Sequence, residues 1–345
     1  MEITIAKREK IKIPILVTGA SGSGKTASSL IMAKGIIEKM FPRLSEEDQW
    51  KKIAVIDTEH GRAKYYADTE LAGVHIGEFY HANFEPPYND KALMQGVNEL
   101  KKMGIEVIIL DSLSHLWSGK GGIQDIVDDI QRKNSKAQMT AWNKVKPNIN
   151  NMLHTLTANS IYIISTARSK TGYDMEKNDK GKVVPVKVGL QPEIRSGWEY
   201  EFAINFNINQ DHTAEAVKDN TNMFDGVEPI TKETGYKIYE WSSEGVDPEE
   251  ERQALIAKVQ ELFNLDDENK RTVVGWEHRS NIKFENWDKS QLRYAISNLH
   301  KIDSVVKLPP KQEQAPQSFE EVPSKQNEPE NMGMAEQFER ATQKA

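Results

Sequence analysis

The sequence predicts an α/β protein with a mainly parallel central sheet flanked by helices, antiparallel edge strands and a small C-terminal helical module. Three observations predict this fold. Almost wholly apolar segments alternate with helical patterns, which is typical of parallel strands covered on both faces. A glycine-rich segment follows the first apolar run. The length of 345 residues suits about two domains.

The apolar runs at 13–17, 53–57, 107–111 and 161–166 predict buried parallel strands. Helical spacing predicts helices ending near residue 40 and over 89–103 and 136–157. A weaker strand is predicted at 74–80. Further strands predicted at 183–186, 200–208 and 236–241 would extend the sheet at one edge in antiparallel pairing.

The glycine-rich segment fits the pattern GxxxxGKT, which is typical of loops that bind phosphate. Its glycines let successive backbone N–H groups point at a polyphosphate, the lysine adds positive charge near the terminal phosphates, and the threonine hydroxyl can bind Mg²⁺. The pattern therefore predicts binding of a nucleoside triphosphate, taken as ATP, together with Mg²⁺. The residues of this loop are Gly19, Ala20, Ser21, Gly22, Ser23, Gly24, Lys25 and Thr26.

Two carboxylates are candidates for the rest of the site. Asp111 ends an apolar strand, where it would hold the Mg²⁺ bound by Thr26. The residue after it is Ser112, which cannot act as a base. The carboxylate available to activate water is Glu59, two residues beyond the strand at 53–57, at the edge where open α/β sheets bind ligands.

Composition excludes several classes of site. The net charge of −7 argues against a protein that coats nucleic acid through its overall field, so a nucleic-acid site has to be a local basic patch. The absence of cysteine excludes disulfides, thiolate zinc sites and cysteine nucleophiles. Neither a signal-peptide pattern nor a transmembrane run occurs, so we expect a cytoplasmic protein without membrane contact.

The combination of the loop at 19–26, the segment Ile56-Asp57-Thr58-Glu59-His60 and the segment 107–112 resembles the ATPase core of the RecA family. The resemblance implies that Glu59 activates the attacking water and that Tyr66, seven residues further on, stacks on adenine. RecA proteins carry an Asn-Gln pair at the end of the next strand, where this chain has Ser165-Thr166-Ala167-Arg168. Thr166 or Arg168 is the candidate for sensing the γ-phosphate.

Residues 189–202 and the segment 236–241 narrow this resemblance to the short RecA-like ATPases of bacteriophages, which are grouped with single-strand annealing and recombination proteins. The resemblance covers roughly residues 12–245 and implies an ATPase that acts on single-stranded DNA in recombination or replication. It further implies a homo-oligomer, either a ring or a filament, and a location in the host cytoplasm for a phage-encoded protein.

The segment 168–187 is the strongest candidate for a DNA contact. It holds six basic residues against three acidic ones, a local charge of +3, and follows the predicted phosphate-sensing strand. A solvated hairpin is the alternative. Trp117 and Lys120 correspond to the other DNA-facing loop of RecA proteins, although Trp117 could equally belong to the core. The remaining candidate contacts are Lys170, Tyr173, Lys177, Lys180 and Lys182.

Three regions are predicted: an ATPase domain over residues 1–245, a helical module over 246–302 and a disordered acidic tail over 303–345 that could bind replication or recombination proteins. Three alternatives to the DNA-dependent ATPase remain open. One is a ring helicase-type DNA motor with the same core. Another is a nucleotide-gated DNA-binding or annealing protein with little ATP turnover. The third is an interaction protein that uses ATP only as a structural ligand.

Overall fold

The computed structural model describes residues 5–134, 138–158, 160–177 and 183–299, without the side chains of 138, 139 and 173–188. The strands are β1 Ile15–Gly19, β2 Ile53–Asp57, β3 Thr69–Leu71, β4 Val74–Ile76, β5 Tyr80–Asn83, β6 Val107–Asp111, β7 Tyr162–Lys177, β8 Val183–Pro192, β9 Ile204–Ile208, β10 Thr213–Asp219 and β11 Val227–Pro229. The helices are α1 Lys25–Met40, α2 Glu46–Trp50, α3 Asp90–Lys102, α4 Leu113–Ser118, α5 Ile123–Lys133, α6 Gln138–Thr157, α7 Lys232–Ser243, α8 Pro248–Leu265, α9 Asp267–Ser280 and α10 Lys289–Leu299.

The central sheet has the strand order β11-β10-β9-β1-β7-β6-β2-β5, and β8 pairs with the distal part of β7. The six strands from β9 to β5 run parallel, whereas β10 and β11 form an antiparallel edge. β7 lies between β1 and β6, although it follows both in the sequence. The fold class predicted from the sequence is confirmed, including its antiparallel edge strands.

The sheet is covered on both faces, as the apolar character of its strands predicts. Alternate residues of each strand point to opposite sides. On one side, Ile15 and Val17 of β1 pack with the apolar residues of α1. On the other side, Leu16 joins a second core cluster with residues of α3, α4, α5 and α6. Strands β1, β2 and β6 are therefore buried along their whole length, whereas β5 at the edge of the sheet is partly exposed.

The predicted strand at 236–241 is wrong, because this segment lies inside α7. The aromatic and β-branched residues of this segment favour a strand, but Thr231 and Thr234 form a capping box that starts a helix. α7 packs closely on α1 through Gly35 and Gly235. A Cβ on Gly235 would lie 2.2 Å from the Met32 carbonyl oxygen, and one on Gly35 would lie 2.2 Å from the Lys232 carbonyl oxygen.

Other predicted boundaries also change. The weak strand at 74–80 is two separate elements, since β4 pairs with β3 in a small hairpin and β5 pairs with β2. The segment 200–208 begins in a 3-10 turn, Trp198–Glu201, and becomes a strand only at β9. β9 runs parallel to β1 inside the sheet rather than antiparallel at its edge. The sequence reasoning missed β10 and β11, which together form the antiparallel edge.

The segment after residue 247 forms a helical module with its own apolar core, in which Val259, Val273 and Leu292 are buried. Lys289 of this module forms ion pairs with Glu9 and Glu251. The division into regions at 245 and 302 stays a prediction, and the predicted tail over 303–345 lies outside the described residues. Among the helices that the structure describes, none combines the length and apolar character needed to cross a bilayer.

The Gly35–Gly235 contact gives a prediction for stability. We expect Gly235→Ala to lower the free energy of unfolding by about 1–3 kcal/mol, because the new methyl group meets backbone atoms that no rotamer change can move. A Cβ on Gly96, in the interior of α3, would have no neighbouring atom within 4 Å, so Gly96→Ala should instead stabilise by about 0.5–1 kcal/mol. Chemical denaturation measures both, and equal effects at the two positions would contradict the prediction.

Candidate functional site

The glycine-rich segment forms a tight loop between β1 and α1. Gly22 and Gly24 have φ values of 81° and 94°, a region that glycine enters without the steric cost of a Cβ. α1 begins directly after Gly24, so the unpaired N–H groups of its first turn lie at the loop. The Ser23 hydroxyl is buried and has no hydrogen-bond partner among the described residues. This arrangement suits an anion such as a polyphosphate.

Lys25 is held over this loop. Its ammonium group donates hydrogen bonds to the carbonyl oxygens of Gly19 at 3.0 Å and Ala20 at 2.8 Å. Burial lowers the pKa of Lys25 below its usual value, although the carboxylates of Asp111 and Glu59 favour the charged form. The lysine is therefore placed between the loop and both candidate carboxylates.

Asp111 lies at the carboxyl end of β6, beside Asp57 of β2 in the strand register. Its carboxylate accepts hydrogen bonds from the hydroxyl groups of Thr26 and Thr166. Burial raises the pKa of Asp111 despite these two hydrogen bonds. Carboxylate and hydroxyl oxygens are the ligands that Mg²⁺ prefers, usually one or two from the protein beside water and phosphate. The donor set therefore fits Mg²⁺, which Thr26 and Asp111 would hold.

Glu59 lies in a turn directly after β2, and Asp57 fixes this turn. One carboxylate oxygen of Asp57 accepts the N–H of Glu59 at 2.6 Å, and the other accepts the N–H of Ala63 at 3.0 Å. The second oxygen also contacts His81 Nε2 at 3.0 Å. Because Asp57 is fully buried, the backbone that carries Glu59 is anchored to the end of the sheet.

The Glu59 carboxylate forms a two-point ion pair with Arg168. Arg168 Nε donates to Oε1 at 2.9 Å, and Nη2 donates to Oε2. The Ser112 hydroxyl donates to Oε1 at 3.2 Å, and Arg62 Nη1 lies 3.7 Å from Oε2. Burial by itself would raise the pKa of Glu59, but the hydrogen bonds and charge of Arg168 outweigh it and hold the pKa below its usual value. Glu59 is therefore ionised at neutral pH.

The structure brings six predicted residues together at the carboxyl ends of four parallel strands. Five of them line a cleft of about 540 Å³, a volume within the range of small-molecule sites, and Thr166 lies behind Asp111. Their individual roles stay predictions. The six are Lys25, Thr26, Glu59, Asp111, Thr166 and Arg168.

Tyr66 ends a 3-10 turn, Arg62–Tyr66, and lines the same cleft. Burial raises its pKa, and the negative charge of Asp111 adds to the shift. Tyr65 also lines the cleft and is much more exposed, at 78%. Leu71 and Ile230 add apolar surface nearby. This half of the cleft suits a flat aromatic base, and the stacking role of Tyr66 stays a prediction.

His212 is a cleft residue that the sequence reasoning missed. It lies in the turn between β9 and β10, and its Nδ1 is 3.0 Å from the carbonyl oxygen of Ser23. Since a carbonyl oxygen only accepts, Nδ1 carries the hydrogen in this contact. A Cβ on Gly24 would lie 3.1 Å from the same ring nitrogen. His212 therefore buttresses the phosphate loop from a position 189 residues away in the sequence, for which no local motif exists.

The candidate DNA contacts are only partly described. Trp117 is partly buried and stacks on Trp142 with 6.0 Å between ring centroids, and it meets Trp198 edge-on at 6.1 Å. Trp142, which the sequence analysis did not select, is the exposed member of this group, at 40%. Lys120 is exposed, and the exposed Lys170 lies 3.3 Å from Glu193.

The remaining candidate DNA contacts fall outside the description. This holds for the side chains of Tyr173 and Lys177 and for the whole of residues Lys180 and Lys182. The backbone on either side forms an antiparallel hairpin of β7 and β8. A solvated hairpin and a DNA-binding hairpin share this geometry.

Comparison with known proteins found a matching family model and similar solved structures. A protein-family model described as AAA domain matches residues 11–244. A similar solved structure is that of a KaiC-like protein from the hyperthermophilic archaeon Pyrococcus horikoshii, with 12% sequence identity and a TM-score of 0.29. That match covers 64% of this chain and 92% of the archaeal chain. No curated protein matches the sequence.

The Glu59–Arg168 ion pair gives a prediction for titration. We expect Arg168→Gln to raise the pKa of Glu59, because the guanidinium group is what offsets the effect of burial. NMR titration of the glutamate carboxyl carbons measures this value. Arg62→Gln is the matched control, since Arg62 is 66% exposed and more distant, and its effect should be smaller. An equal or larger shift in Arg62→Gln would contradict the assignment.

Proposed function

The chain belongs to the AAA domain family, and from this premise we propose that it is a Mg²⁺-dependent ATPase that acts on single-stranded DNA in phage-type recombination or replication. The observation that carries the ATPase part is the convergence of two carboxylates with different environments on one phosphate loop. Asp111 accepts hydrogen bonds from two hydroxyl groups, and one of them, on Thr26, is the other residue that would hold the metal. Glu59 lies on the neighbouring strand end and is ionised.

The proposed chemistry follows from these positions. Bound Mg²⁺ would neutralise charge on the phosphates. The backbone of the loop and Lys25 bind the triphosphate, and Glu59 takes a proton from a water molecule. The water oxygen bonds to the γ-phosphorus while the bond from that phosphorus to the bridging oxygen of ADP breaks. Glu59 therefore has to exchange a contact with Arg168 for one with water during the cycle.

Arg168 is suited to sense the nucleotide because its guanidinium group is half-exposed and lies at the cleft. A γ-phosphate carries more negative charge than a carboxylate and accepts the same two-point hydrogen bonding. Its arrival would draw Arg168 away from Glu59. Thr166, two residues earlier on the same strand, contacts Asp111 and would sense the metal side of the site.

The DNA part of the proposal rests on β7. This strand carries Thr166 and Arg168 and extends into the basic hairpin, where its pairing with β8 has a register shift between Gly172 and Tyr173. We therefore expect a displacement of Arg168 to reach the hairpin through the backbone of this strand. The exposed Trp142, stacked on Trp117, offers an aromatic surface on which a base could stack.

We also propose that the active form is a ring or filament of identical subunits. Arg62 supports this, since it is two-thirds exposed at the edge of the cleft and within 3.7 Å of Glu59. A cation at that place is accessible to the nucleotide of its own site and to a neighbouring subunit. The segment 303–345 is the proposed attachment point for replication or recombination proteins.

Replacing the base separates hydrolysis from binding. We expect Glu59→Gln to lower the rate of phosphate release by about 10²- to 10⁴-fold, the usual contribution of a general base, while ATP affinity measured by calorimetry stays within about threefold. Lys25→Ala should instead weaken ATP binding by about 10- to 100-fold, because it removes charged hydrogen bonds worth about 1.5–3 kcal/mol. The charge-matched control is Glu78→Gln, since Glu78 is an exposed carboxylate that does not line the cleft.

An unchanged rate in Glu59→Gln would remove the base assignment, and undiminished ATP affinity in Lys25→Ala would remove the phosphate loop as the binding site. Little ATP turnover by the unaltered protein, with intact DNA annealing, would favour the nucleotide-gated binding protein.

The DNA partner is tested by the salt dependence of binding. We expect the triple variant Lys177→Gln, Lys180→Gln and Lys182→Gln to bind single-stranded oligonucleotides more weakly and to reduce the slope of log K against log salt by about 2, since each phosphate contact on a single strand contributes about 0.7. It should also lose the stimulation of ATP hydrolysis by single-stranded DNA.

The matched control neutralises three exposed lysines on α3 and α7, Lys91, Lys102 and Lys237. An equal change of slope in the control and the hairpin variant would assign the hairpin to solvent rather than to DNA. ATP-driven unwinding of duplex DNA by the unaltered protein would favour the helicase-type motor.

A further inference from the structure

Three side chains behind Glu59 contact one another, and two of them, His115 and Tyr88, belong to none of the motifs. The three are Thr58, His115 of α4 and Tyr88, which precedes α3. Thr58 is 1% exposed and Tyr88 is 4% exposed, so both are shielded from water. The backbone N–H of Thr58 donates to the carbonyl oxygen of Asp111 at 2.7 Å. The residue next to the proposed base is thus tied to the strand that carries the metal-binding carboxylate.

The Thr58 hydroxyl has three contacts. It accepts the N–H of Ser112 at 2.7 Å, lies 3.2 Å from the Ser112 carbonyl oxygen and lies 2.8 Å from His115 Nδ1. A hydroxyl group has one hydrogen to donate and two lone pairs, so these three contacts use its full capacity. The buried hydroxyl is therefore fixed in direction, and the backbone that leads into Glu59 is fixed with it.

His115 is held in turn by Tyr88. The two rings stack with 5.4 Å between centroids and 13° between planes. The Tyr88 hydroxyl lies 3.4 Å from the Thr58 carbonyl oxygen. His115 therefore contacts the side chain of Thr58, and Tyr88 contacts its backbone. Burial lowers the pKa of His115, although the negative charge of Glu59 opposes this shift. The ring is therefore neutral at pH 7, and because the Thr58 hydroxyl donates its hydrogen to the Ser112 carbonyl oxygen, His115 Nδ1 carries the hydrogen in the contact with Thr58.

The start of α4 contacts both partners of the Glu59–Arg168 ion pair. The Ser112 hydroxyl donates to the Glu59 carboxylate at 3.2 Å, and the Ser114 hydroxyl accepts the N–H of Arg168 at 3.0 Å. His115 completes this set by contacting Thr58. The three side chains of one helical turn therefore fix the ion pair and the turn that carries the glutamate.

We propose that His115, supported by Tyr88, is a positioning residue for ATP hydrolysis that sets the direction of the Glu59 carboxylate through the hydroxyl of Thr58. This inference rests on the proposed function, in which Glu59 is the base. His115 is not among the residues that line the cleft. It acts on kcat because the transition state depends on the distance between the carboxylate and the attacking water, whereas binding of the triphosphate depends on the loop at 19–26.

The test uses pairs of variants that separate the hydrogen bond from the ring stacking. His115→Phe keeps a ring against Tyr88 and loses the Nδ1 contact. His115→Asn keeps a polar atom near the position of Nδ1 and loses the ring. Thr58→Val keeps the shape of the side chain and loses the hydroxyl, and Thr58→Ser keeps the hydroxyl. Steady-state hydrolysis, ATP affinity and thermal unfolding are measured for each variant in the full chain.

We expect His115→Phe and Thr58→Val to lower kcat by about 10- to 100-fold with KM for ATP within about threefold, the effect of a misplaced catalytic group. His115→Asn and Thr58→Ser should retain most of the rate. The double variant Thr58→Val, His115→Phe should be no slower than the slower single variant, because both changes break one connection.

Several results would overturn the proposal. They are an unchanged kcat in His115→Phe, a larger loss in His115→Asn than in His115→Phe, or losses that multiply in the double variant. Should Thr58→Val fail to fold, the two His115 variants alone test the proposal, because Thr58 keeps its contacts with the backbone of Ser112 and Asp111 in both of them. Failure of the proposed function is seen separately: the unaltered protein would then not hydrolyse ATP, or Glu59→Gln would hydrolyse it at the unaltered rate.

Discussion

The position of β7 between β1 and β6 is the constraint on which the site depends. In the register, Val17 of β1 is paired with Thr166 and Gly19 with Arg168, while Leu110 of β6 is paired with Ser165. All these strands run in the same direction, so their carboxyl ends meet at one edge. The hydroxyl of Thr166 consequently reaches Asp111, and Arg168 reaches across to Glu59 beyond β6. A strand order with β1 beside β6 would leave both residues away from the phosphate loop.

This arrangement concentrates four charged groups in a partly dry region. Lys25 and Arg168 oppose Glu59 and Asp111, and the two carboxylates respond differently. Arg168 pairs with Glu59 and lowers the pKa of that carboxylate. Among the described residues, the hydrogen-bond donors to Asp111 are the hydroxyls of Thr26 and Thr166, and burial raises the pKa of Asp111. Asp111, whose partners are two neutral hydroxyl groups, is electrostatically suited to bind a cation. Glu59, which already has a cationic partner in Arg168, is suited to exchange that partner. The two acids therefore differ through their neighbours rather than through their residue type.

The sequence predicted the parts of the site that depend on local geometry. The loop at 19–26 needs glycine at defined positions, and Asp111 and Glu59 stand at the ends of apolar strands. Local sequence patterns were therefore sufficient to select the loop and the two carboxylates. The segment 236–241 was mistaken for a strand because it is rich in aromatic and β-branched residues, whereas it lies in a helix that begins at the Thr231–Thr234 capping box and packs on α1 through Gly35 and Gly235. His212 and His115 were missed because each reaches its partner through the fold and neither belongs to a motif.

The departure from the Asn-Gln pair of RecA proteins acquires a physical meaning from these contacts. A glutamine is neutral and could contact a γ-phosphate without affecting the charge of the base. Arg168 carries a full charge, and its contact with Glu59 lowers the pKa of that carboxylate while occupying both of its oxygens. Under the proposed function, a single side chain then links three events: arrival of the γ-phosphate, release of the base and displacement of β7. Since Ser114 also accepts the N–H of Arg168, the backbone of β7 cannot shift at this point without affecting α4, and through His115 the turn that carries Glu59.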